Sequence, residues 1–123
     1  MKRTYASQLT CPIARMLNIL GDRWTLLIVR DLLFFNRTRF NEFLESLEGL
    51  SPNLLSQRLK LLEQSGIVER VMYSEHPPRM EYRLTEKGLA LRPALEAMAE
   101  WGRAFEPPPA RRPRAGAGRG AAG

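Results

Sequence analysis

The stretch NEFLESLEGLSPNLLSQRLKLLEQSGIVERVMYSEHPPRMEYR, residues 41–83, decides how this 123-residue chain folds. Asn41 reads as the cap of a short helix that buries Phe43, Leu44 and Leu47 and breaks at Gly49. Ser51 followed by Pro52 is a paired start signal: a capping hydroxyl, then a proline at the first helical position. Leu55, Leu59 and Leu62 then share one face, and Gly66 supplies a left-handed stop. From Ile67 to Tyr73 β-branched residues dominate, which predicts a strand. Pro77 and Pro78 make a stiff turn, and Met80 to Leu84 alternates as the returning strand. Helix, tight turn, helix and hairpin in that order are the layout of a winged helix-turn-helix, mainly α with a small β-hairpin wing.

Upstream, residues 1–11 are a polar lead-in. Pro12 suits the start of a helix, Ile13, Met16, Leu17 and Leu20 keep helical spacing, and Gly21 ends the run. Asp22 is the expected cap of the next helix. Its inner side would be Trp24, Leu27, Ile28 and Leu32, leaving Arg23, Arg30 and Asp31 toward solvent. Downstream, Thr85 reads as the cap of one last helix, with a kink expected at Pro93. In it Leu91, Leu95, Met98, Trp101 and Phe105 form a continuous apolar stripe. The folded domain is expected to span 12–105. After Glu106 the chain holds Pro, Arg, Gly and Ala alone, so 106–123 is expected to be a disordered basic tail.

Hydrophobic residues at 44 % and charged residues at 26 % are ordinary for a globular domain with a single core. The net charge is +6, but Arg111, Arg112, Arg114 and Arg119 in the tail supply four of those charges. A polyanionic partner must therefore be argued from where the charges sit. A single cysteine, Cys11, forbids an internal disulfide and fits a reducing compartment. No apolar run approaches the roughly 18 residues of a membrane span, and residues 1–10 carry no signal-peptide core. A cytoplasmic, nucleoid-associated protein without membrane contact is expected. His76 is the one histidine, and no metal-ligand spacing or glycine-rich phosphate loop occurs. Neither a metal, nor a cofactor, nor an enzymatic activity is expected.

With Leu55 at the centre of the buried side, Asn53, Ser56, Gln57 and Lys60 fall on the opposite side of the 51–65 helix at about 100° per residue. Amides read adenine edges, and lysine suits guanine or phosphate. No acid occurs from Ser51 through Leu62. Ser51 and the open backbone amides at the helix start could hold a phosphate. A solvated surface helix would show the same polar side, so the neighbours matter. Arg37 and Arg39 lie just upstream, Arg58 lies within the helix, and Arg79 sits at the hairpin tip, where it could enter the minor groove or clamp a phosphate. Glu75 at that tip argues against a purely electrostatic wing. These nine residues, Ser51 included, are the candidate DNA contacts.

The chain resembles the HxlR-type winged helix-turn-helix transcriptional regulators. The resemblance covers about 11–101. It rests on Cys11-Pro12, on Gly21 with Arg23-Trp24, and on Arg39-Phe40-Asn41-Glu42. It continues through Ser51, Leu55, Leu59, Leu62, Glu63 and Gly66 with Ile67-Val68. Its most specific part is Pro77-Pro78-Arg79-Met80-Glu81-Tyr82 with Leu84-Thr85 and Gly88, and Trp101-Gly102 closes it. It implies a bacterial-type homodimer on pseudo-palindromic double-stranded DNA, with the helix matching 51–65 in the major groove. The hairpin would touch the flanking backbone, and the N- and C-terminal helices would form the dimer interface. The basic tail departs from the family pattern.

The stripe Leu91, Leu95, Met98, Trp101 and Phe105 is broader than a small core needs, and an exposed apolar patch of that kind marks an interface. Packing within its own chain is the plain alternative. Cys11 precedes a helix start that could lower its thiol pKa, and some members of the resembling family sense oxidants or electrophiles at this place. A buried structural thiol is the alternative. The leading expectation is a sequence-specific regulator, most simply a repressor that occludes a promoter, with a redox or small-molecule effector through Cys11. The competing one is a winged-helix protein–protein adaptor whose basic tail alone binds nucleic acid non-specifically.

Overall fold

The computed structural model describes residues 10–109. The lead-in 1–9 and residues 110–123, most of the expected basic tail, lie outside the described residues. The elements run α1 (Pro12–Leu20), α2 (Arg23–Phe34), α3 (Phe40–Ser46), α4 (Pro52–Gln64), β1 (Val68–Glu75), β2 (Pro78–Leu84), α5 (Glu86–Leu89) and α6 (Arg92–Phe105). The described residues fall into two compact units that divide between Arg92 and Pro93.

The first unit is built around α2, α3 and α4. Ile28, Val29, Phe43, Leu55, Leu59, Leu62 and Val68 are essentially closed to solvent. The leucine spacing of α4 thus does what its periodicity predicts. Each such side chain contributes about 1.5–3 kcal/mol relative to exposure. Ser51 accepts the Leu54 amide at 3.1 Å and starts α4. Gly66, at φ +78°, ends it in a conformation that side chains with a Cβ rarely adopt.

The inner side of α2 differs from expectation. Thr25, Ile28, Val29, Asp31 and Leu33 are buried, whereas Trp24, Leu27 and Leu32 are half-buried. The helix packs against α1, α3, α4 and β2 at once, so its inner arc is wider than one stripe. Asp31 is therefore enclosed rather than solvated. Arg30 donates to its Oδ1 from Nε and Nη2 at 3.1 and 2.8 Å, while its Oδ2 is buried with no hydrogen-bond partner among the described residues.

The cap of α3 is also displaced from Asn41. Arg39 is the N-cap, and the Glu42 carboxylate accepts the Thr38 and Arg39 amides at 2.8 and 3.0 Å. A glutamate three residues into the helix satisfies the orphan amides as well as an asparagine at its start. The strands pair antiparallel, Val68 opposite Leu84 and Met72 opposite Met80, with an irregularity at Tyr73 before Ser74 meets Arg79. Both strands run closer to the tip than their composition implies, leaving His76 and Pro77 as the turn. The Tyr82 amide donates to the Thr38 carbonyl at 2.8 Å and docks the hairpin on the turn before α3.

The single last helix expected from Thr85 onward is two. Thr85 caps α5, accepting the Gly88 amide at 3.1 Å. A Cβ at Gly88 would collide with the Ile67 carbonyl oxygen, so only glycine lets α5 approach the start of β1 this closely. α6 begins afresh at Arg92, with Pro93 in its first turn. There the missing N–H costs nothing, so the proline restarts the helix rather than kinking it. Leu91 lies in the turn ahead of α6 and is not part of its stripe.

Candidate nucleic-acid interface

The outer side of α4 is a surface without internal partners. Asn53, Ser56, Gln57 and Lys60 are all exposed and make no hydrogen bond or ion pair among the described residues. Their donors and acceptors are open to an external ligand. Ser51 spends its oxygen lone pair on the Leu54 amide, but its hydroxyl proton can still be donated.

The hairpin is tied to the end of α4 and to the turn before α3. Thr38 donates from Oγ1 to Glu81 Oε1 at 3.3 Å, and Arg70 reaches Glu63, near the end of α4, at 3.5 Å. Arg39 lies 4.0 Å above the Tyr73 ring and 3.9 Å from Glu81. The strand irregularity places Tyr73 where that guanidinium can stack. Arg79 is exposed beside the tip, with no partner among the described residues.

The nine sequence candidates therefore separate. Asn53, Ser56, Gln57, Lys60 and Arg79 are unengaged, and Ser51 caps α4. Arg37 is half-buried with its guanidinium 5.3 Å from the Phe35 ring, and Arg39 is spent on the wing. Arg58 turns toward the start of α2, where its Nε donates to Asp22 Oδ2 at 2.9 Å. The same Asp22 oxygen accepts the Thr25 amide and hydroxyl at 3.1 and 3.2 Å. Burial pushes the Asp22 carboxyl upward, but the Thr25 amide and the Arg58 guanidinium outweigh it and hold the group below its ordinary range. Asp22 was legible as a helix cap. Its partnership with a residue 36 positions away was not, because only folding brings them together.

Cys11 is exposed at the N-cap position of α1, and its side chain makes no capping hydrogen bond. It is not the enclosed thiol of the alternative expectation. Of the C-terminal stripe, Leu95 is buried while Met98, Trp101 and Phe105 are exposed at 47, 60 and 66 %. Trp101 and Phe105 pack ring against ring at 5.4 Å. On α1, Ile13 and Leu17 are exposed as well. Among the described residues no cluster of ligating side chains could hold a metal, and no helix is long and apolar enough to cross a membrane.

Residues 19–109 match the family described as HxlR-like helix-turn-helix. The HTH-type transcriptional regulator sll1512 of Synechocystis is 40 % identical over 92 residues, 75 % of this chain and 67 % of its own. Relatives from Mycobacterium bovis and Mycobacterium tuberculosis are longer, and the chain spans 60 % of each. Among solved structures, the reduced form of the transcriptional regulator YodB from B. subtilis is 38 % identical. It matches with a TM-score of 0.67 over 81 % of this chain and 98 % of that one. The redox regulator HypR in its reduced form is 33 % identical, with a TM-score of 0.71 over 78 % of this chain and 94 % of that one.

Proposed function

The chain belongs to the HxlR-like helix-turn-helix family, and on that premise we propose that it is a sequence-specific DNA-binding transcriptional regulator acting as a homodimer on a pseudo-palindromic operator. One observation carries this reading: α4 is fastened by three enclosed leucines and offers on its other side four polar side chains that have no partner among the described residues, as Arg79 in the hairpin also has none. In this reading α4 enters the major groove, with Asn53 and Gln57 on base edges and Lys60 on guanine or phosphate. Arg79 clamps the flanking backbone. The exposed apolar side chains of α1 and α6 join two copies, whose reading helices address half-sites about 34–36 Å apart. The regulator works in the cytoplasm, and repression by promoter occlusion is its simplest mode.

Fluorescence anisotropy with genomic fragments tests the proposal. One site should bind about 10³-fold or more above bulk DNA, with a steep loss on raising salt. Equal binding to all fragments, abolished by deleting 107–123, would leave a protein–protein adaptor with a basic tail.

Cys11 supports a second layer. It is exposed, and HypR, a structural relative, is described as a redox regulator. A two-electron oxidant would join Cys11 of two subunits as a disulfide, taking two electrons from the thiols, which release two protons. A thiol-reactive oxidant should then change operator affinity in the wild type and leave Cys11→Ser unaffected. An unchanged wild type refutes the sensor.

A further inference from the structure

Arg58 is half-enclosed on α4, with its side chain 28 % exposed, and it uses Nε alone to reach Asp22. A guanidinium carries five N–H donors in a rigid fork, so this one bond fixes the plane of the group and leaves both terminal amino groups available. The residue sits one position after Gln57, about 100° further around the helix, on the flank of the buried side next to Leu62 and Leu55, where α4 meets the start of α2. Asp22 is itself held in place by its bonds: it caps α2 and takes three donors on one oxygen. Arg23 next to it is exposed and rests on the Trp24 ring at 4.6 Å, adding a second cation at the same edge.

From this arrangement we propose that Asp22 is a positioning residue that holds Arg58 as a pre-aimed clamp for a backbone phosphate of the operator, setting the register of α4 in the groove. The proposal rests on the DNA-binding reading above. An unanchored arginine loses side-chain freedom when it binds, and one held by a carboxylate has already lost it. The carboxylate also neutralises part of the charge, so the clamp adds little to indiscriminate attraction. Its effect falls on DNA that presents a phosphate at the right place, which is a contribution to specificity.

The test uses the full chain, with operator and random duplexes measured by anisotropy across a salt series and folding checked by circular dichroism. Arg58→Ala should weaken operator binding about tenfold and lower the salt slope by about one. Arg58→Lys keeps the charge but lacks the rigid planar fork that commits one N–H to the carboxylate and aims the others at a phosphate. It should preserve the slope while lowering the operator-to-random ratio several-fold. Asp22→Asn retains a helix cap and should also lower the ratio, with random DNA bound as well as before or better. Asp22→Asn added to Arg58→Ala should lower it no further. An unchanged slope in Arg58→Ala, or an unchanged ratio in Arg58→Lys, overturns the clamp while the regulator reading stands. A wild type without a preferred site overturns both.

Discussion

The outward side of α4 carries Asn53, Ser56, Gln57 and Lys60, whereas α6 holds Met98, Trp101 and Phe105 out to solvent. Both surfaces lack partners within the described residues of one chain, and their chemistry is opposite. Polar groups without partners are content in water, so the α4 surface needs no cover to be stable and can wait for a ligand. An indole and a phenyl ring exposed together are not content there, and cover is the ordinary remedy. One helix thus leaves polar groups in water at no cost, while the other leaves apolar rings there at a cost that a covering surface would remove.

The largest expected effect separates the two sides of α4. Leu59→Ala removes a fully enclosed side chain and should cost about 2–5 kcal/mol in denaturant unfolding, while Gln57→Ala should stay within about 0.5 kcal/mol. A large stability loss from Gln57→Ala would mean that its side chain serves the fold. Next comes α6. Trp101→Ala should leave the first unit folded and weaken self-association by about 2 kcal/mol, near 30-fold, in sedimentation. Unchanged association would remove α6 from the proposed dimer contact.

A smaller effect divides the proposed DNA contacts. Gln57→Ala should change which bases are preferred, by about 1–3 kcal/mol at one position, and Arg79→Ala should weaken all sites alike. Competition with operator variants distinguishes the two outcomes. Identical profiles would erase the division between a reading helix and a clamping wing.

Local signals account for what the sequence made legible. Ser51-Pro52 and Gly66 bound α4 because caps and stops act over three or four residues, and Leu55, Leu59 and Leu62 fix its buried side. The exposed residues of that helix follow by subtraction. What escaped depended on distant partners or on competing local choices. Asp31 is enclosed because four elements surround α2, which no single periodicity reveals. The stripe from Leu91 to Phe105 kept its spacing across a break, because hydrophobic period alone does not register the short α5. Charge alone marks Arg58 and Arg39 as candidate DNA contacts and says nothing of their internal partners. The structure engages one with Asp22 and the other with Tyr73 and Glu81.

The smallest effect concerns how firmly α4 is presented. α3 leads into it, and α3 depends on Glu42 accepting two backbone amides. Those bonds, from Thr38 first and Arg39 second, hold the Glu42 carboxyl below its ordinary range, and Asp22 is held low as well. A carboxyl whose folded pKa is depressed contributes stability in full above its unfolded pKa. That contribution is lost as pH falls through the folded value. The melting temperature should therefore drop on acidification below about pH 4. Glu42→Gln keeps hydrogen bonds to the two amides and should flatten part of that drop, whereas Glu42→Ala should cost about 1 kcal/mol at neutral pH. If both variants keep the wild-type pH profile, Glu42 is not a source of the acid sensitivity, and the entry to α4 is held by packing of Phe43 alone.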